Sequence, residues 1–165
     1  VIDTATNRLT VRAIKTGPYP SAIAITPDGK RVYVGNARGG TVSVIDTATN
    51  RLAGRAIKVG QVPSAIAIAP DGERVYVANT RDDTVSVIDT ATNKAVGKIG
   101  TGDTPSAIAL SPNGKRAYVA NARSDTLSVI DTATNRPAAK ATEVGPFPLA
   151  LAITPDGSRA YVVKN

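Results

Sequence analysis

The sequence predicts an all-β protein built from repeated four-stranded antiparallel blades, a β-propeller, and three observations carry that prediction. The string Val-Ile-Asp-Thr-Ala-Thr-Asn occurs four times unchanged, starting at Val1, Val44, Val87 and Val129, at intervals of 43, 43 and 42 residues. A period in the forties with no helical pattern inside it is the signature of a propeller blade. Short apolar runs are separated by turn-forming clusters about every 8 to 12 residues, the rhythm of an all-β chain. Ala-Ile-Ala-Ile and Val-Tyr-Val are near-continuous apolar runs, as expected for strands covered on both faces.

Each period reads as an inner strand (Ser21 to Ile25), a second (Arg31 to Val34), a third (Thr41 to Asp46) and an outer one (Leu52 to Lys58). The inner strands begin after Pro20, Pro63, Pro105 and Pro148. Thr26-Pro27-Asp28-Gly29 is a hairpin connection. Pro presets φ, Asp bonds locally and Gly accepts a positive φ. Pro112-Asn113-Gly114 substitutes an amide for that carboxylate, which argues for turn chemistry over a required acid. Asp3, Asp46, Asp89 and Asp131 each precede Thr-Ala-Thr-Asn. Their expected task is to hold that turn through side-chain to backbone hydrogen bonds. The outer strands carry Arg12, Lys15, Arg55, Lys58, Lys98 and Lys140, charges that keep a sheet edge from pairing with stray chains.

The chain reads as one domain of four repeats, residues 1–165. Blades are expected over 20–59, 63–100 and 105–143, with 148–165 completed by 1–16. It begins inside a third strand and ends after a second one, so the terminal half-blades are complementary. Two arrangements follow: a closed four-bladed ring, or an eight-bladed homodimer in which two chains complete each other. Small Ala, Val and Ile side chains at the packing positions make thin blades, and thin blades favour the larger ring or a longer propeller.

Composition narrows the chemistry. The chain has no Cys and no His. Disulfides and thiolate sites are therefore absent, as are the commonest general base and the commonest zinc ligand. No apolar run approaches the length of a membrane span. Asp82-Asp83 is the only acidic pair in a loop and lacks the spacing of a calcium loop. Neither a catalytic set, a cofactor nor a metal site is expected, and the chain is read as a non-enzyme.

Tyr33-Val34-Gly35-Asn36, Tyr76-Val77-Ala78-Asn79 and Tyr118-Val119-Ala120-Asn121, with Pro-Asp-Gly before them and Thr-Val-Ser-Val-Ile-Asp-Thr after, resemble the YVTN-type β-propeller repeats. The resemblance covers essentially the whole chain; the last copy departs from it as Tyr161-Val162-Val163-Lys164-Asn165. It implies a binding scaffold of the cell surface, the periplasm or the extracellular space, in the manner of surface-layer proteins. A related group implies a second reading, DNA binding. A lactonase-like hydrolase, also found on propellers, is a third.

The net charge of +7 invites the nucleic-acid reading, but its placement does not support it. Most of the excess falls on the outer strands as isolated charges rather than in a groove, and edge protection explains it. Nucleic acid is therefore not the expected partner. Variation among the copies points elsewhere. The loops entering the inner strands read Gly17-Pro18-Tyr19-Pro20, Gly60-Gln61-Val62-Pro63, Gly102-Asp103-Thr104-Pro105 and Gly145-Pro146-Phe147-Pro148. The loops after the second strands read Ala37-Arg38-Gly39-Gly40, Thr80-Arg81-Asp82-Asp83 and Ala122-Arg123-Ser124-Asp125. Both sets lie on one face, where loops on a rigid scaffold carry recognition. Tyr19, Arg38, Gln61, Arg81, Asp103, Arg123 and Phe147 are the expected site for a protein or surface ligand. The competing expectation is that Tyr19 and Phe147 turn inward as a plug, with the arginines paired to Asp82, Asp83 or Asp125.

Overall fold

The computed structural model describes all residues, Val1–Asn165. Strands β1 (Ile2–Asp3) and β2 (Arg8–Leu9) form a two-stranded sheet at the start of the chain. Three complete blades follow. The first holds β3 (Pro20–Ile25), β4 (Arg31–Asn36), β5 (Thr41–Asp46), β6 (Arg51–Leu52) and β7 (Ile57–Lys58). The second holds β8 (Pro63–Ile68), β9 (Arg74–Asn79), β10 (Thr84–Asp89) and β11 (Lys94–Gly100). The third holds β12 (Pro105–Leu110), β13 (Arg116–Asn121), β14 (Thr126–Asp131), β15 (Arg136–Pro137) and β16 (Thr142–Glu143). A final pair, β17 (Pro148–Ile153) and β18 (Ala160–Lys164), ends the chain. All pairings are antiparallel.

The inner strands β3, β8, β12 and β17 stand side by side, each against the next. Between the first two blades, Tyr33, Val42, Val44 and Ile57 pack on Val75, Val77 and Ile88. Between the second and third, Tyr76, Val85, Val87 and Ile99 pack on Ala117, Val119 and Ile130. Each blade thus offers two apolar faces, which is why the second and third strands carry unbroken apolar runs. The inner strands are less buried than the second and third: β8 and β12 are half-buried between their neighbours, and in the first blade, which has no blade before it, Ile23 is 68% exposed.

Polar ladders tie the blades together. Ser21, Ser64 and Ser106 sit at a bulge at the head of each inner strand. Each hydroxyl donates to the carbonyl of the proline that opens the next inner strand: Pro63, Pro105 and Pro148. Asn36, Asn79 and Asn121, fully buried, each donate a side-chain N–H to a Thr and a Ser hydroxyl of the third strand. Gly60 lies against one of these amides. A Cβ there would sit 2.6 Å from Asn79 Cγ, so the loop before the inner strand needs glycine at that point.

The turns behave as their chemistry dictates. Asp46 Oδ1 accepts the Thr49 N–H and hydroxyl, both at 2.8 Å, and Asn50 closes the turn at φ 54. The same bonds recur from Asp3, Asp89 and Asp131. In the hairpin turn the Gly29 N–H donates to Thr26 O at 2.8 Å, with Gly29 at φ 70.

One expectation needs correction, and of the two arrangements the less favoured one falls away. The first and third blades do not carry continuous outer strands. β6 and β7 are separated by Ala53–Ala56, with Gly54 at φ 92, and β15 and β16 by Ala138–Ala141. Only β11 runs through, and its stretch from Asn93 to Pro105 is one residue shorter than that from Asn50 to Pro63. The extra residue must be looped out of the ladder, which breaks the edge strand. Nor does the single chain form a closed four-bladed ring: β18 pairs with β17 alone and β1 with β2 alone. The molecule is an open arc whose terminal half-blades do not pair with each other.

Candidate binding face

The loop face is built by two kinds of connection laced to each other. The loop before each inner strand ends in a residue held in the left-handed region: Tyr19 (φ 55), Val62 (φ 55), Thr104 (φ 59) and Phe147 (φ 45). None is glycine, and Val62 and Thr104 are β-branched, so this backbone is strained and persists only because its surroundings fix it. The fixing bonds are visible. The carbonyls of Tyr19, Val62 and Thr104 accept the N–H of Ala37, Thr80 and Ala122 at 2.8, 3.0 and 2.9 Å. The loop face is thus a rigid platform.

Tyr19 and Phe147 stand outward, 67% and 55% exposed; they do not plug the arc. The Arg38 guanidinium lies 5.4 Å from the centre of the Tyr19 ring, within the range of a cation–π contact. Arg38, Arg81 and Arg123 are exposed and take part in none of the four ion pairs of the molecule. The acids expected to pair with them are engaged elsewhere. Asp82 bridges to Lys98 at 3.2 Å. Asp83 Oδ1 accepts the Thr104 N–H at 2.8 Å, and Asp125 Oδ1 the Phe147 N–H at 3.0 Å. Backbone donation from Gln61 and then the Lys98 ammonium hold the Asp82 carboxyl below its ordinary range.

Tyr19, Arg38, Gln61 and Arg81 come together around one cavity of about 530 Å³ between the first two blades. Gly39, Gly40, Lys58 and Val62 complete much of its wall, and no acidic side chain lines it. Arg81 and Arg123 share a smaller cavity of about 340 Å³ one blade further, whose wall includes Asp83. Asp103 and Phe147 line neither cavity; Phe147 stands at the far end of the arc. Sequence reasoning therefore grouped seven residues of which four share the main cavity. It missed Lys58, read there as an edge charge, and the Gly39-Gly40 pair. The signal for the latter was present, since the sister loops read Asp82-Asp83 and Ser124-Asp125. No group of three or more His, Cys, Asp or Glu residues that could hold a metal ion occurs. Nor is any helix long and apolar enough to cross a membrane.

Two family models match the chain: YNCE-like beta-propeller over residues 55–162, and Lactonase, 7-bladed beta-propeller over residues 3–101. No curated protein matches significantly. Among solved structures, hydrazine synthase of Kuenenia stuttgartiensis is 31% identical with a TM-score of 0.86, over 94% of this chain and 45% of that one. A functionally unknown protein from Desulfotomaculum acetoxidans DSM 771 is 20% identical with a TM-score of 0.76, over 88% and 49%. A provisionally assigned 6-phosphogluconolactonase from Bacteroides uniformis ATCC 8492 is 17% identical with a TM-score of 0.78, over 93% and 52%. The last two likenesses are of fold alone. The chain spans about half the length of these structures.

Proposed function

The chain belongs to the YNCE-like β-propeller family, and we propose that it is a non-enzymatic scaffold whose loop face docks an acidic protein partner. The observation that carries this reading is the Tyr19–Arg38 stack beside Arg81, on a face whose three recurring arginines have no carboxylate partner. An exposed aromatic beside unpaired guanidinium groups is the composition of an interaction hot spot. Arginine presents a planar fork of donors suited to carboxylates. The backbone beneath is fixed by its own hydrogen bonds, so little ordering cost attends binding. The resemblance to YVTN-type surface propellers supports an extracytoplasmic setting.

The lactonase reading rests on the second family match. Hydrolysis calls for a base or an activated water near the substrate, and the main cavity is lined by Tyr, Gln, Arg and Lys without a carboxylate. Binding uses these side chains more directly than hydrolysis does.

Calorimetric titration with an acidic hexapeptide containing one aromatic residue, set against its Lys-substituted counterpart, tests the proposal. The acidic peptide should bind, and more weakly as salt rises; equal binding of both peptides, or of neither, contradicts it. Turnover of a γ- or δ-lactone, abolished by substitutions at the cavity, would favour the hydrolase.

A further inference from the structure

The repeat supplies its own control for what the main cavity lacks. In two of the three loops that follow a second strand, the last residue is an aspartate in the left-handed region, Asp83 (φ 54) and Asp125 (φ 57). Each carboxylate reaches across to the next blade and accepts a backbone N–H, from Thr104 and Phe147. Each backbone carbonyl accepts an N–H at 2.9 Å, from Thr101 and Val144. In the remaining loop the same position is Gly40, at φ 56, with its carbonyl accepting the Val59 N–H at the same 2.9 Å. The backbone is unchanged and only the carboxylate is gone. Val62, the counterpart of Thr104 and Phe147, therefore has an N–H with no acceptor. Gly40 and Val62 both line the main cavity, together with the cations Arg38, Lys58 and Arg81.

We infer that this cavity is a carboxylate-binding site, in which an Asp or Glu side chain of the partner takes the place that Asp83 and Asp125 fill in the sister loops. The incoming oxygen accepts the Val62 N–H, as Asp83 Oδ1 accepts that of Thr104. The guanidinium groups of Arg38 and Arg81 and the Lys58 ammonium neutralise its charge. A charge-assisted bond to a backbone N–H is among the stronger hydrogen bonds. Here the donor is already oriented by a backbone that two sister loops show to be compatible with a carboxylate. The aromatic ring of Tyr19 covers one side and accommodates an apolar neighbour of the acid. One oxygen takes the backbone N–H, as in the sister loops, and the other is left to the guanidinium groups, whose planar forks suit a carboxylate.

This inference rests on the loop face being the docking face, and one experiment keeps the two apart. The amide resonances of the protein are followed by NMR during titration with N-acetylglutamate α-amide, which carries a single carboxylate, and then with the acidic hexapeptide. Sodium chloride at equal ionic strength serves as the comparison. The Val62 amide should shift with both ligands and saturate, while the Thr104 and Phe147 amides, already bonded, stay in place. Gly40→Asp restores the internal carboxylate and should weaken both ligands about tenfold. Gly40→Ala adds the same Cβ, 3.2 Å from Gly60 O and at the same strained φ of 56, without the charge, and should weaken both ligands less than Gly40→Asp does. A Val62 amide that does not move while Tyr19 and Arg38 do would overturn the carboxylate site and leave the docking face standing. An amide that moves equally with chloride, or a Gly40→Asp variant that binds as well as the parent, also overturns it. No shift anywhere on the face would remove both readings.

Discussion

Tyr33 donates its hydroxyl hydrogen to Asn93 Oδ1, 3.0 Å away in the next blade, and Tyr76 repeats the bond to Asn135 at 3.2 Å. Asn93 thus serves two purposes. It closes the Thr-Ala-Thr-Asn turn at φ 52, and it accepts a hydrogen bond from the buried tyrosine of the preceding blade. The motif that announces the repeat is therefore also a lock between repeats.

The bond can be weighed directly. Tyr33→Phe removes the donor, and Asn93→Gly removes the acceptor while keeping a residue tolerant of positive φ. Each should cost about 1 kcal/mol in urea unfolding. The two should couple in a double-mutant cycle, the second change costing little once the first is made. Additive losses would show that the hydrogen bond contributes nothing.

Acid sensitivity follows from the aspartates. Hydrogen bonds from the Thr49 side chain and backbone hold Asp46 below the ordinary 3.8, and the Thr92 side chain and backbone do the same for Asp89. Bonds from Thr134 act likewise on Asp131. Asp156, bonded by Thr154 and Ser158, is lowered to about 2. A depressed folded pKa gives stability that is present above the unfolded value and lost as pH falls through the folded one. Melting temperature should therefore be level from neutrality to about pH 5 and fall between about pH 4 and pH 2. Asp89→Asn and Asp131→Asn should flatten that fall while lowering stability at neutral pH. An unchanged profile in the double variant would contradict this assignment.

The open edge of β18 carries a legible register. Arg31 stands opposite Asp46, Arg74 opposite Asp89 and Arg116 opposite Asp131; the last two pairs are salt-bridged. Arg159 and Asp3 occupy the corresponding positions in the half-blades and have no such partner. Two copies of this 165-residue chain should therefore join with Arg159 of each opposite Asp3 of the other. The result would be an eight-bladed ring, at the upper end of the usual range of about four to eight. Light scattering should give about twice the 16.9 kDa chain mass. Asp3→Arg and Arg159→Asp should each weaken the dimer, and mixing the two variants should restore it, because both junctions then regain an opposite-charge pair. A monomer at micromolar concentration, a mass that keeps rising with concentration, or a mixture no better than its components would contradict the arrangement.

Much of this was readable in the sequence, for physical reasons. Asp46 and Asn50 act within four residues of each other, and Thr26 to Gly29 form one turn, so local chemistry dictated both. The Val-Tyr-Val and Val-Ser-Val-Ile runs named the buried strands because only covered faces tolerate them. The break at Gly54 was less legible, since one added residue leaves composition and pattern almost unchanged. The missing carboxylate at Gly40 is visible in the loop sequences, but its meaning is not. That depends on where Asp83 and Asp125 point, a relationship between blades rather than a property of the loop. Lys58 has a second position its sequence does not announce: it is an edge charge on β7, but its pairing with Thr41 sets it beside the Gly39-Gly40 loop and in the cavity wall.

The central claim is that the loop face binds rather than props up the fold, and the variant Tyr19→Ser, Arg38→Ala, Arg81→Ala tests it most directly. Tyr19 is exposed, and all three side chains lie outside the hydrophobic clusters, so unfolding free energy should move by less than about 0.5 kcal/mol. Calorimetric titration with the acidic hexapeptide should show affinity falling by about a hundredfold or more, as loss of hot-spot residues does. Retained affinity, or a loss of stability of several kcal/mol in its place, would contradict the account.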